Sequence, residues 1–261
     1  MSELPPLDLH AHIDPAISSG ELESLGAVVF AVTRSLSEGQ QALERGDRAT
    51  IWGIGCHPGV AKAHKAFRPE MFAELIKQTP FAGELGLDGK SRVPLSVQMA
   101  TLRDALQVLI TNPRIVSLHS HTATEQLLDL LEATPIQGVV LHWWLGDPLQ
   151  TARAVNLGCY FSVNAASVRH PDHLEGIPID RLMTETDHPF GDRRGQPPHR
   201  PGRVEDVEAA IGRLRGASPR ETRIRMWQNL GGLVRETGCS ALLPRTVRSR
   251  LASVMPSAGA P

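Results

Sequence analysis

Apolar and polar positions along the chain fall into two alternating rhythms. Short runs rich in β-branched, aliphatic and aromatic residues recur at LDLHAHID (7–14), AVVFAVT (27–33), TIWGIGC (50–56) and FAGELGL (81–87). Four more follow at RIVSLHS (114–120), GVVLHWW (138–144), CYFSVNA (159–165) and RLMTETD (181–187). Each has the length and composition of a strand. Between them ELESLG, SEGQQALERG, PEMFAELIKQT, LSVQMATLRDALQVLITN, TATEQLLDLLEAT and DPLQTARAVNLG carry helical spacing. The fifth of these sets Leu127, Leu128, Leu130 and Leu131 on one side. Start signals fall at Ser37 before Glu38, Thr122 before Ala123, and Asp147 before Pro148. The seventh crossover, SVRHPDHLEGIPID, lacks helical pattern and predicts irregular chain. A Pro/Gly/Arg-rich loop, HPFGDRRGQPPHRPGR, follows the last strand, and helices are predicted near 204–215 and 218–237.

Strand–helix alternation repeated about eight times points to a closed parallel barrel or an open doubly wound sheet. The chain's 261 residues, 41% of them hydrophobic, suit one (β/α)8 TIM barrel. We expect that domain over 1–243 and a fraying tail over 244–261. With 27 basic and 28 acidic residues the net charge is −1, so no overall field draws in nucleic acid or an anionic membrane. Any polyanion must be held locally. The opening MSELPPLDLHAHID has no secretory pattern, and no apolar run approaches a membrane span. Cys56, Cys159 and Cys239 are too few and scattered for a disulfide framework, which favours a reduced, cytoplasmic setting.

Charged and imidazole side chains gather where the predicted strands end, the edge on which barrels of this kind build active sites. His10 and His12 end the first strand; Glu84 lies on the fourth, His119 on the fifth, His142 on the sixth, and Asp187 ends the eighth. Two residues apart on a strand, His10 and His12 face the same way, about 7 Å apart. Strands four, five and six are neighbours, so Glu84, His119 and His142 can converge. Strands eight and one meet where a barrel closes, so Asp187 can join His10 and His12, with Glu84 reaching between the two groups. Each residue alone has a plainer reading as a cap, an ion-pair partner or a core histidine. Six such groups at one edge are hard to satisfy without cations, because buried carboxylates are costly unless paired or metal-bound. Imidazole and carboxylate donors without thiolate suit two divalent ions, Mg, Mn or Zn.

These segments resemble the TatD family of metal-dependent nucleases over nearly the whole chain. LDLHAHID is similar to the family's D-x-H-x-H-x-D, GIGCHPG to its G-x-H-P, and GELGLD to its G-E-x-G-L-D. LHSHTA is similar to H-x-R-x-A, LHWWLG to H-x-F-x-G, and TETDHPF to E-T-D-x-P, and Asn229 in WQNLGG matches an Asn of the last helix. The resemblance implies a TIM barrel that hydrolyses nucleic acid, often DNA from the 3′ end. Carried over by position, it implies the ligands His10, His12, Glu84, His119, His142 and Asp187. Two departures bear on substrate: His121 stands where the family has Arg, and Trp143 and Trp144 alter the pattern beside His142. The stretch from SLHSHTATEQ to CYFSVNA also resembles the branch of the family found in Qat-type anti-phage defence systems, which implies partner proteins.

On this reading Asp187 is both ligand and proton acceptor, and Glu84 bridges. His57, just past the third strand, contacts the scissile phosphate or protonates the leaving oxygen, or else caps the turn at Pro58-Gly59. His121 and Arg34 are further phosphate contacts, Arg193, Arg194, Arg200 and Arg203 stand ready for a DNA backbone, and Glu185 supports its neighbours. The substrate is nucleic acid, with single-stranded DNA ends foremost. Two rivals are an amidohydrolase-type barrel acting on a lactone or amide, and a metal-bound assembly subunit without turnover. Many amidohydrolases bridge their metals with a modified lysine, whereas the fourth strand here supplies Glu84.

Overall fold

Every one of the eight predicted strands forms. They are β1 Leu7–His12, β2 Val28–Val32, β3 Thr50–Trp52, β4 Phe81–Gly86, β5 Ile115–His119, β6 Val139–Leu141, β7 Tyr160–Val163 and β8 Leu182–Thr184. The computed structural model describes residues 3–255. Helices α1 Ser19–Ser24, α2 Leu36–Leu43, α3 Ala61–Ala66, α4 Pro69–Ile76, α5 Leu95–Thr111, α6 Thr124–Ala133 and α7 Pro148–Asn156 fill the crossovers. The seventh crossover holds only short turns and α8 Asp172–Glu175, as its weak pattern predicts. Helices α9 Glu205–Arg215, α10 Pro219–Thr237 and α11 Arg245–Val254 complete the chain.

All pairing is parallel, in one sheet of order β1-β2-β3 and one of order β4-β5-β6-β7-β8. Two seams join them into a (β/α)8 barrel. At the first, Ile54 bridges to Ala82, the Gly83 N–H donates to the Ile54 carbonyl at 2.9 Å, and Cys56 N–H donates to the Glu84 carbonyl at 2.9 Å. At the second, Asp187 N–H donates to the His10 carbonyl at 2.8 Å and His12 N–H to the His188 carbonyl at 2.9 Å. Glycine makes the first seam possible. A Cβ on Gly55 would lie 2.2 Å from the Thr33 carbonyl oxygen and 2.3 Å from the Glu84 nitrogen. Gly86, with φ +130°, would place a Cβ 2.2 Å from the His119 carbonyl oxygen.

One apolar layer lies between strands and helices, where Leu102 and Leu106 of α5 and Leu127, Leu128, Leu130 and Leu131 of α6 are buried. A second closes the far end of the barrel, where Leu7, Phe30, Phe81 and Met183 meet Trp227, Leu230 and Leu233 of α10. Asn229 works on the same side: its amide donates to the Ile179 and Leu182 carbonyls at 2.8 and 2.7 Å and fixes the entry to β8. Beneath α9 and α10, buried Glu208 receives Arg223 through contacts of 2.9 and 2.6 Å.

Three expectations change. Ser35, not Ser37, caps α2: its Oγ accepts from Glu38 N–H, because the helix begins at Leu36 and only Ser35 stands three residues ahead of that donor. Thr122 does not cap α6. It takes φ +52°, and Ala123 precedes the helix with no side-chain cap. The segment from 244, read as a tail, opens with α11, whose Val247 and Leu251 lie four residues apart and bury against the α10 layer. Residues 256–261 lie outside the described residues. Sequence reading also passed over α3, which has no side-chain cap and buries only Ala63 and His64.

Deleting the chain from Arg245 onward removes two buried aliphatic side chains from that layer. Urea unfolding should show a loss of about 3–6 kcal/mol, at roughly 1.5–3 kcal/mol per side chain. An unchanged midpoint would mean that α11 does not seal the core.

Candidate metal centre

Glu84 occupies the middle of the barrel mouth, 1% exposed, and its two oxygens face different partners. Oε1 lies 2.9 Å from His119 Nδ1 and 3.0 Å from His142 Nε2. Oε2 lies 3.4 Å from His12 Nε2, 3.4 Å from His57 Nε2 and 3.8 Å from His10 Nε2. Asp187 Oδ1 stands on the same side as Oε2, 3.5 Å from His12 Nε2 and 3.7 Å from His10 Nε2. The six side chains singled out by strand order therefore gather at one site, delivered by β-strand ends, with donor atoms of His10, Glu84 and His142 in one group, of His10, His12 and Asp187 in another, and of His12, His57 and Glu84 in a third.

Neighbouring chain holds these side chains in place. His10 Nδ1 meets Ser117 Oγ at 2.7 Å, which turns Nε2 toward the cluster, and the His10 ring stacks on His142 with centroids 3.8 Å apart. Asp187 takes φ +45°, an uncommon conformation for a residue with a Cβ and one that clusters at functional sites. Buried Asp8 accepts from His10 N–H, Thr186 N–H, Thr186 Oγ1–H and Gly202 N–H at 3.2, 2.9, 2.6 and 2.8 Å. It thereby locks β1 to the end of β8 and to the loop beyond. Glu185 accepts from Trp143 N–H at 2.9 Å and Asn164 Nδ2–H at 3.0 Å, and also meets Ser162 Oγ.

Charge follows burial and neighbours. Burial alone would raise the Glu84 carboxyl, but the imidazoles of His57, His119 and His142 outweigh it and hold Glu84 well below the usual carboxylate range. Burial drives His10 well below the ordinary imidazole value, with His142 adding to the effect. At His12 burial is overcome by Asp187 and Glu84, and at His119 by Glu84, so both are raised. Glu185 is raised well above a normal carboxyl by burial and by Asp187. Asp8 is pushed up to about 6 by burial, against its four donors.

The donor set fits divalent cations. Among the described residues, seven buried side-chain atoms lack a hydrogen-bond partner, and six of them belong to His10, His12, Glu84, His119, His142 and Asp187. Of these, His10 Nε2, Glu84 Oε2 and Asp187 Oδ1 converge. Each such atom left unpaired costs about 1–3 kcal/mol. Donors about 2.1 Å from one ion would sit about 3.0–3.4 Å from each other, and the spacings here are 2.9–3.8 Å.

The remaining expected residues lie around this centre. His57 caps the turn at Pro58-Gly59 and also faces the cluster. Its Nδ1 accepts the Gly59 N–H at 2.9 Å, so the neutral ring carries its proton on Nε2, which faces Glu84. Burial lowers its pKa. His121 is half-exposed, with Nδ1 3.3 Å from Asp88 Oδ1. Arg34 is largely exposed and 3.7 Å from Glu38; it does not join the Glu84 cluster. Arg193 lies over the Phe190 ring at 5.3 Å, and Arg203 pairs with Glu205 and Asp206 at 3.9 Å. Sequence reasoning missed Asp8 and Asp88, although each stands inside a motif that it used. Asp88 Oδ2 lies 3.8 Å from His119 Nε2.

Residues 7–234 match the family described as TatD related DNase. The chain belongs to this family. TatD relatives include a deoxyribonuclease Tat-D of Schizosaccharomyces pombe, 31% identical over 117 residues, which are 41% of this chain and 37% of that protein. The human 3′-5′ RNA nuclease TATDN2 is 23% identical over 154 residues, 54% of this chain and 20% of that protein. These matches span less than half the length of either relative. The TatD homologue YJJV of Escherichia coli K12 shares the fold with a TM-score of 0.76, at 24% identity over 87% of this chain and 96% of that one.

In the metal-free protein the raised His12 and His119 hold protons that an incoming cation must displace. Apparent affinity for Zn²⁺ should therefore fall as pH drops through the range in which these rings protonate, and rise above it. Calorimetric titrations at pH 6.5 in two buffers of different ionisation enthalpy should reveal proton release, with less at pH 8. Identical heats in both buffers at pH 6.5 would contradict this charge state.

Proposed function

We propose that the chain is a two-metal phosphodiester hydrolase that shortens single-stranded nucleic acid, DNA foremost, from its 3′ end. The observation carrying this reading is that the two oxygens of Glu84 face two separate donor sets. His119 and His142 would hold one ion beside Oε1, and His10, His12 and Asp187 the other beside Oε2. Bound Mg, Mn or Zn ions would supply charge stabilisation at the phosphoryl oxygens and a water acidic enough to ionise near neutral pH. Asp187 would accept that water's proton. His57, with its proton on Nε2, donates toward the leaving oxygen or the phosphate. His121 and Arg34 flank the phosphate from the rim. A carboxylate between the donor sets, in place of a lysine, favours this chemistry over that of the amidohydrolase-type rival.

The DNase family supports DNA as substrate, and the human relative named as an RNA nuclease makes RNA the comparison to run. The resemblance of residues around His119 to the Qat-type branch supports a place in anti-phage defence with partner proteins. Three free, buried cysteines suit the cytoplasm.

The test is degradation of labelled single strands by purified protein. Asp187→Asn keeps size and removes charge, so the rate should fall by about 10²–10⁴-fold while the thermal midpoint stays put. A folded variant with undiminished hydrolysis would falsify the assignment. Net charge near zero also limits long-range attraction. An inactive variant should show a log–log salt slope of only about −1.5 to −3 on short strands, at roughly −0.7 per phosphate neutralised. A slope steeper than about −6 would indicate an extended basic groove.

A further inference from the structure

Beside the Oε1 half of the centre, a cavity of about 770 Å³ opens between the ends of β5 and β6. His119 and His142 form part of its wall, so it is continuous with the Glu84 cluster. Trp143 and Leu145 line it with apolar surface, and Gln126 and Glu125 with polar groups. Ligand pockets commonly enclose about 300–1,000 Å³, so a single nucleoside fits with room to spare.

The two consecutive tryptophans of β6's end part company. Trp144 is buried in the core, where its Nε1–H donates to Thr151 Oγ1 at 2.9 Å. Trp143 takes φ +41°, donates its backbone N–H to Glu185 at 2.9 Å, and lines the cavity. A positive φ and a buried backbone bond hold this indole at the mouth, where it gains little from the core. Leu145 is 49% exposed on the same wall. An apolar wall presented to water, next to a polar reaction centre, needs a flat apolar partner.

Charge decides which part of a nucleotide that partner is. The cavity lining contains no lysine or arginine and one carboxylate, Glu125. That carboxylate is paired with Arg153 at 3.0 Å, and the other ionisable groups of the lining, His119, His121 and His142, stand at its Glu84 end, so the wall of Trp143 and Leu145 accepts a neutral ring while the phosphate belongs at the imidazole end. Gln126, whose side chain makes no hydrogen bond among the described residues, offers an amide to the ring's edge. The guanidinium groups of Arg34, near Glu38, and of Arg193, over Phe190, lie outside this lining.

We propose that this cavity receives one unpaired nucleobase, stacked on the Trp143 indole, whose adjoining phosphate meets the Glu84 cluster. The inference rests on the nucleic-acid reading of that cluster and adds where the substrate is gripped. A base so held has left its neighbours and its complement, so frayed or single-stranded ends are preferred over paired ones.

Tryptophan fluorescence tests this directly, since Trp52, Trp144 and Trp227 are buried and Trp143 alone among the four is partly exposed. The probes are 2′-deoxyadenosine 5′-monophosphate and 2-deoxyribose 5-phosphate, which carries an anomeric hydroxyl in place of the base. The nucleotide should quench emission and bind about 5- to 150-fold more tightly than the base-free sugar phosphate, the range expected for one base–aromatic stack. Trp143→Leu should lose both the quenching and the preference. Equal affinity for the two probes in the unaltered protein overturns the inference, whatever the fate of the variant. A parallel assay compares strands ending in a normal or an abasic 3′ nucleotide. Quenching without hydrolysis of any strand supports the cavity and removes the nuclease reading; equal KM for both ends, with hydrolysis, removes the cavity.

Discussion

A single buried carboxylate organises the mouth of this barrel. Glu84 is all but inaccessible to water, and its charge survives there only because imidazoles crowd both of its oxygens. Moving an ion of that kind from water into protein costs several kcal/mol even after relaxation. That cost explains why the surrounding chain converges so closely. Gly55 and Gly86 let neighbouring strands approach the Glu84 backbone, Ser117 orients His10, and Asp8 clamps the strand that carries His10 and His12. Loosening any of these leaves a buried charge without company.

The strands and the six clustered side chains were legible because a period of two and the strand-end rule are both written in local sequence. Adjacency of consecutive strands then did the rest, bringing Glu84, His119 and His142 together and joining Asp187 to His10 and His12. What stayed hidden depended on long-range or backbone geometry. Asp8 looks like one more strand residue until Thr186 and Gly202, far along the chain, arrive to donate to it. The α2 cap went to the wrong serine because Ser35 and Ser37 have the same chemistry and only the helix start separates them. Helix α11 was missed because Val247 and Leu251 make a sparse apolar face in a basic segment, significant only against α10.

Strain has a location too. Among the described residues, the non-glycine residues with positive φ are Thr122, Trp143 and Asp187. All three follow strand ends at the mouth, and each sits one to three residues beyond, or at, a side chain of the cluster or its neighbouring cavity. The backbone departs from comfortable geometry where side chains must be aimed, and the stacked strands and helices below hold it there.

The division of the strands into a group of three and a group of five has a mechanical meaning. His10 and His12 belong to the smaller sheet, while Glu84, His119, His142 and the extension of β8 that bears Asp187 belong to the larger. A cation shared between these side chains would therefore add a clasp across both edges of the cylinder, beside the backbone hydrogen bonds that already join them. By mass action a ligand at 100 times its Kd would add about 2.7 kcal/mol to the closed form. Chemical competence and resistance to opening are then one property of the same few side chains.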